Sequence, residues 1–279
     1  MQVEVGARTD KGCVRENNED SYRVVPALNL LVLSDGMGGV AHGEVASAMA
    51  VDIIATHCEE TAGQPALPSL EEPRAEFSER TNRLVSGIRL ANHMIYQSAQ
   101  QNQDQRGMGA TILAAWLSET RTSLAHVGDS RAYLLRAGAL EQLTADHSLV
   151  AEQVRRGVLT PQQAEKSELQ SVLTRALGTE EETEVDADEL ALLDGDTLLL
   201  CSDGLTRMVP DQEIAATLQE LPGAQEAADR LIELAKQHGG QDNITVIVAR
   251  LGPRTNAWFS KLRRRTRSSS SPASHEGGA

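Results

Sequence analysis

The chain has 279 residues, 40% hydrophobic but only 3% aromatic, and 26 Lys and Arg against 40 Asp and Glu give a net charge of −14. That length allows one large domain or two small ones, and the shortage of aromatics leaves the core to Leu, Val, Ile and Ala. The composition argues against three classes: a nucleic-acid binder, which needs basic surface; a disulfide-framed secreted protein, since Cys13, Cys58 and Cys201 are odd in number and widely spaced; and a membrane-spanning chain, for want of an apolar run of about 18 residues.

In chain order, Val3 and Val5 alternate with polar residues, as a first strand requires. "ALNLLVLS" is continuously apolar and reads as a strand buried on both faces. Val45, Met49 and Ile53 recur at helical spacing within residues 43–60. A loop with three prolines follows, then a long amphipathic helix over about 75–100, ended by "RGMG". "ATILAAWL", "TSLAHVG" and "RAYLLRAGALEQL" give three or four strands, the last two joined by an Ala-Gly turn. In residues 146–178 the character changes to helical pieces, with Thr160-Pro161-Gln162-Gln163 patterned as a capping box with Pro at the first helical position. "DTLLLCSD" is a second buried strand; helices over 211–219 and 224–238 precede a last strand, "NITVIVARL".

Strands and helices come in runs rather than in strict alternation, which favours a layered α+β fold over a parallel sheet. From Gly252 onward, six basic residues stand against one acid, so the remaining body carries 20 basic and 39 acidic residues, a charge of −19. This Arg- and Ser-rich tail, 253–279, has the composition of a disordered segment. Its Trp258, Phe259 and Leu262 beside the arginines also suit peripheral contact with anionic lipid.

The chemistry concentrates in acids set beside Gly or Asn at the edges of apolar runs. They are Glu19 and Asp20 in "RENNED", Asp35 in "SDGMGG", Asp129 in "HVGDSR", Asp203 in "CSDGL" and Asp242, followed by Asn243, in "GGQDNITV". Each alone is an ordinary turn residue. Together they form a set of hard oxygen donors without His or Cys, which suits Mg²⁺ or Mn²⁺ rather than zinc. Gly36 lacks a side chain, so its carbonyl can also approach a metal. The run from Gly36 to Ala41 matches a dinucleotide fingerprint, but Asp35 stands where a pyrophosphate would feel its charge. No P-loop is present.

These blocks resemble the metal-dependent serine/threonine protein phosphatases (the PPM, or type-2C, family) in their bacterial form. "TDKGCVRENNEDSY", "LVLSDGMGGVAHGEVAS", "GMGATIL", "AHVGDSRAYLL", "LTADHSLVAEQVRRGVLT", "SVLTRALG", "LLLCSDGLT" and "GGQDNITVIV" occur in family order over about residues 3–251. The resemblance implies a four-layer sandwich, with two central antiparallel sheets flanked by helices, in a domain over 1–252 with a flap over about 145–179. It implies that Asp35 bridges two Mn²⁺ or Mg²⁺ ions, that Gly36 offers its carbonyl to the first, and that Asp203 and Asp242 complete the second. Glu19 and Asp20 would hold waters of the ions, and Asn243 would support them. Arg15 would bind the substrate phosphate, its planar fork matching two oxygens. Asp129 with Asp203 would hold the third ion of bacterial members.

The implied activity is hydrolysis of phosphoserine and phosphothreonine on proteins, opposing serine/threonine kinases, by a cytoplasmic monomer. Two ions about 3.5–4 Å apart lower the pKa of a shared water to near neutrality. Two alternatives remain: dephosphorylation of an anti-sigma-factor antagonist, and a non-catalytic binding domain of the same fold. Met37 stands where many eukaryotic members have a histidine proposed as general acid, and it cannot donate a proton. The flap also departs from the family, with Ser167-Glu168 where a His-Pro pair is often found.

Overall fold

Alternation at the N-terminus becomes strand β1 (Gln2–Asp10), which pairs antiparallel with the final strand, β11 (Ile244–Gly252). The computed structural model describes residues 2–38, 42–64, 73–164 and 166–252; the basic tail, and the lipid-contact reading made of it, lie outside them. Nine further strands lie between these two: β2 (Asp20–Val25), β3 (Leu30–Met37), β4 (Gly109–Ala110), β5 (Ile112–Trp116), β6 (Thr122–Val127), β7 (Arg131–Arg136), β8 (Ala139–Gln142), β9 (Asp186–Leu190) and β10 (Thr197–Cys201). One sheet runs β1-β11-β10-β7-β8; the other runs β2-β3-β5-β6-β9, with β4 added beside β3. Every pairing is antiparallel.

The continuous apolar runs follow from where these strands sit. Leu198 and Leu200 of β10 face inward, where with Ile247 and Ala249 they meet Leu31, Leu33, Leu113 and Leu124 of the other sheet. Leu199 and Cys201 face outward, onto Ile214 and Leu218 of α6 (Asp211–Glu220) and Leu231 and Ile232 of α7 (Ala224–Gln237). Leu30 and Val32 in turn pack on α1 (His42–Thr61) and α2 (Glu79–Gln101). With helices on both outer faces, each central strand must be apolar on both sides, and each buried Leu contributes about 1.5–3 kcal/mol. The four-layer α+β sandwich is therefore the observed architecture.

Local chemistry sets the boundaries. The long helix begins at Glu79 rather than near 75, because Ser78 caps it by accepting from the Thr81 N–H at 3.4 Å. The Ala137-Gly138 turn has positive φ at both residues, as a two-residue hairpin requires. In the segment 145–179, α3 (Leu149–Arg155) and α4 (Pro161–Ala164) are short, and the capping box at α4 is reciprocal: Thr160 N–H to Gln163 Oε1, 2.8 Å, and Gln163 N–H to Thr160 Oγ1, 3.3 Å. Strand β9, "DADEL", has no alternating apolar signal and is recruited to the edge of its sheet by β6. A four-residue helix, α5 (Asp203–Thr206), follows β10.

Candidate metal centre

The acids gather at one end of the sandwich, from both sheets. Strand β3 does not end at Ser34, as the sequence suggests, but continues through Asp35 and Gly36, because β4 pairs with Gly36 and Met37. Asp35 stands directly across from Asp20, the first residue of β2. From the other sheet, β10 delivers Asp203 as the first residue of α5, and the turn before β11 delivers Asp242. The β6–β7 turn carries Asp129. The carboxyl groups of Asp35 and Asp203 are both buried and close enough for each to feel the other's charge, so the two Ser-Asp-Gly segments meet in space.

Crowding of like charge shows in the proton affinities. Desolvation first, then the carboxylates of Asp20, Asp203, Asp129 and Asp242, push Asp35 well above the usual carboxylate range. Desolvation pushes Asp20 up to about 7, although hydrogen bonds from Thr245 and Ser202 oppose it. Asp129 rises to about 8, by desolvation and by Asp203. Asp203 is raised by desolvation, against the pull of Arg207. Such groups resist ionising together without a cation among them.

Two atoms carry the clearest demand for that cation. Asp20 Oδ1 and Asp203 Oδ1 are buried and have no hydrogen-bond partner, an arrangement that is costly for a carboxylate unless a ligand completes it. The other oxygen of Asp20 is fully engaged, accepting from Ser202 Oγ at 2.8 Å and Thr245 Oγ1 at 2.6 Å. The donors are all oxygen, so the residues present fit a hard divalent ion. At Gly36 a Cβ would overlap the Gly43 carbonyl oxygen and crowd that of Glu19, and this close packing requires glycine.

The surrounding residues fix these side chains. Asn243 Oδ1 accepts from the Glu19 N–H at 2.8 Å, and its amide donates to the carbonyls of Lys11 and Asn17. The Glu19 carbonyl accepts from Gly36 N–H, 3.1 Å, and Ser47 Oγ, 2.5 Å, while its carboxyl is raised by desolvation. Arg15 is 54% exposed at its side chain and bonds Asp242 Oδ2 at 2.9 Å. Cys201 is buried in the outer core and Cys13 is exposed.

Sequence reasoning missed Ser202, Thr245, Thr111 and Arg207. Thr111 Oγ1 accepts the Asp35 N–H at 2.9 Å and lies 2.8 Å from Ser130 Oγ, tying the β3 acid to the turn that holds Asp129. Arg207 follows Asp203 by four residues, a helical spacing that was open to notice. Its guanidinium contacts Asp203 and lies 3.8 Å from both Asp129 Oδ2 and Asp242 Oδ2.

His126, His147 and Asp186 form a separate cluster beside that turn. Gly128 N–H can only donate, so His147 Nδ1 accepts it, at 3.1 Å, and Nε2 faces Asp186 Oδ2 at 3.2 Å. The rings stack 4.7 Å apart at 18°, which keeps their in-plane lone pairs from converging on one ion. Arg175 adds a 2.6 Å bond to Asp186. This cluster anchors the segment 145–179 to the Asp129 turn.

Comparisons with known proteins bear on the family and the fold. Residues 14–245 match the family described as Protein phosphatase 2C. Serine/threonine phosphatase stp of Listeria welshimeri is 40% identical over 244 residues, 86% of this chain and 93% of that protein. Serine/threonine protein phosphatase PstP of Mycobacterium tuberculosis is 41% identical over 249 residues, 89% of this chain and 45% of that protein. A crystal structure of the M. tuberculosis phosphatase PstP/Ppp superposes with a TM-score of 0.80 at 39% identity, covering 90% of this chain and 99% of that one. The PstP catalytic domain in complex with 2 manganese ions gives 0.75, at the same identity and coverage. By the match of its sequence and of its sandwich alike, the chain belongs to the protein phosphatase 2C family.

Proposed function

We propose that the acids at the open end of the sandwich form a two-ion centre at which this metal-dependent serine/threonine phosphatase hydrolyses phosphoserine and phosphothreonine on proteins. The observation that carries the reading is the pair of buried, unpartnered oxygens, Asp20 Oδ1 and Asp203 Oδ1, amid carboxyls from both sheets. Bound divalent ions supply a nucleophilic water of lowered pKa and neutralise phosphoryl charge.

The chain's own residues do the rest. Asp35, at the centre of the acids, would bridge two ions, with Asp203 and Asp242 on one side and the Gly36 carbonyl on the other. Glu19 and Asp20 would orient water, Asn243 holding the Glu19 backbone and Ser202 and Thr245 holding the Asp20 carboxylate. Arg15 is exposed at the rim and free to exchange its Asp242 contact for two phosphate oxygens. Asp129 would hold a further ion with Asp203. The domain would occupy 1–252, with 145–179 as the flap. We infer substrates supplied by serine/threonine kinases, and a monomeric enzyme in a reducing cytoplasm, which suits its three free cysteines. No helix among the described residues is long and apolar enough to cross a membrane.

The test is turnover of a small aryl phosphate and of a phosphothreonine peptide. Activity should appear with Mn²⁺ or Mg²⁺ and vanish in EDTA. Full activity in chelated protein would refute the two-ion reading.

A further inference from the structure

The two oxygens of Asp203 have different fates. Oδ1 is buried and unpartnered, whereas Oδ2 is held by Arg207. The backbone beneath this arginine is fixed. Asp203 and Arg207 lie on one helical turn, with Arg207 N–H donating to the Asp203 carbonyl at 2.9 Å. Leu205 and Val209 on either side are sunk in the outer core, which fixes the turn from below. The guanidinium therefore faces three acids at once: Asp203, Asp129 and Asp242. Asp129 is buried, and Asp242 has a second cation in Arg15.

A divalent ion bound between Asp129 and Asp203 would compete with Arg207, which holds one oxygen of Asp203 and lies 3.8 Å from Asp129 Oδ2. It would also sit beside a permanent positive charge, because guanidinium does not deprotonate in proteins. Asp203 Oδ1, which has no hydrogen-bond partner, remains available to the central ions. We propose that Arg207 is a built-in cation that takes the place of the outer, Asp129-side metal ion, so that this phosphatase loads its central ions tightly and the outer one only weakly. The inference rests on the metal-centre reading above and adds to it a residue that sets ion stoichiometry. The outer position would then accept a divalent ion only when Arg207 is drawn off, for instance by the phosphate of a bound substrate.

The experiment is Mn²⁺ binding to metal-free full-length protein, counting free Mn²⁺ by its electron paramagnetic resonance signal, with no substrate present. Wild type should bind its central ions tightly and one further ion weakly. R207Q and R207A should tighten that weakest ion by roughly ten- to a hundredfold, and D129N in the same background should abolish the gain. Unchanged weak-site affinity in both Arg207 variants, a gain that survives D129N, or loss of the central ions would each overturn the inference. If wild type binds no Mn²⁺ at all, the metal-centre reading itself fails, a result distinct from a failure confined to Arg207.

Discussion

Ser34-Asp35-Gly36 and Ser202-Asp203-Gly204 are the same tripeptide after the same kind of buried strand, yet the backbone treats them differently. At the first, the strand runs on, because β4 offers Gly36 and Met37 a partner. Ser34 is spent on the fold, its hydroxyl donating to the Thr111 carbonyl at 2.6 Å. At the second, the chain turns into α5 under the pull of Leu205 and Val209, which must reach the outer core. Ser202 is spent on the site: it donates to Asp20 Oδ2 and accepts the Thr245 N–H at 2.9 Å. One motif thus supplies a rigid acid from a sheet. The other supplies an acid on a helical turn, and only that geometry puts a residue four positions on, Arg207, beside it.

The largest effect should come from removing either acid. Asp35→Asn and Asp203→Asn should each lower kcat by several orders of magnitude with the fold retained by circular dichroism, and the double variant should be scarcely worse than either single one. Additive losses would mean that the two motifs serve separate sites. Next come the glycines. A Cβ at Gly204 would overlap the Asn243 carbonyl as one at Gly36 would overlap that of Gly43. Gly36→Ala and Gly204→Ala should each cost about 1–3 kcal/mol or more in urea unfolding.

The serines separate the motifs most finely. Ser202→Ala should weaken Mn²⁺ binding by about tenfold, whereas Ser34→Ala should leave it unchanged and cost about 1 kcal/mol of stability. Equal effects on Mn²⁺ affinity would erase the distinction.

The smallest effect is on pH dependence. Asp20 and Asp129 are raised from 3.8 to about 7 and about 8, so the metal-free fold loses stability as pH rises through that range. His147, lowered from 6.5 to about 4 by burial, acts oppositely and only below 6.5. In EDTA, Tm should therefore be lower at pH 8 than at 6.5, by about 5 °C. Saturating Mn²⁺ should remove or reverse the difference, and a flat profile in EDTA would show that the acids are not electrostatically crowded.

Much of the fold was legible because the two central sheets are apolar on both faces, and a run such as "DTLLLCSD" can hardly be anything but a buried strand. The acids were legible because each sits beside a Gly or Asn at the edge of such a run. Strand β9 was not, since an acidic edge strand carries no hydrophobic period and is defined by pairing with β6. The extension of β3 through Asp35 depends on β4, whose two residues lie about 70 positions away. Ser202, Thr245 and Thr111 escaped notice because a hydroxyl's partner is set by tertiary approach, not by spacing.

Diffraction at the manganese absorption edge, from a crystal of this chain grown with Mn²⁺, tests the shared centre most directly. Anomalous peaks should lie between the two motifs, with one ion within about 2.0–2.4 Å of carboxylate oxygens from both Asp35 and Asp203. Peaks confined to one Ser-Asp-Gly segment, or lying at the His126–His147–Asp186 cluster instead, would contradict it.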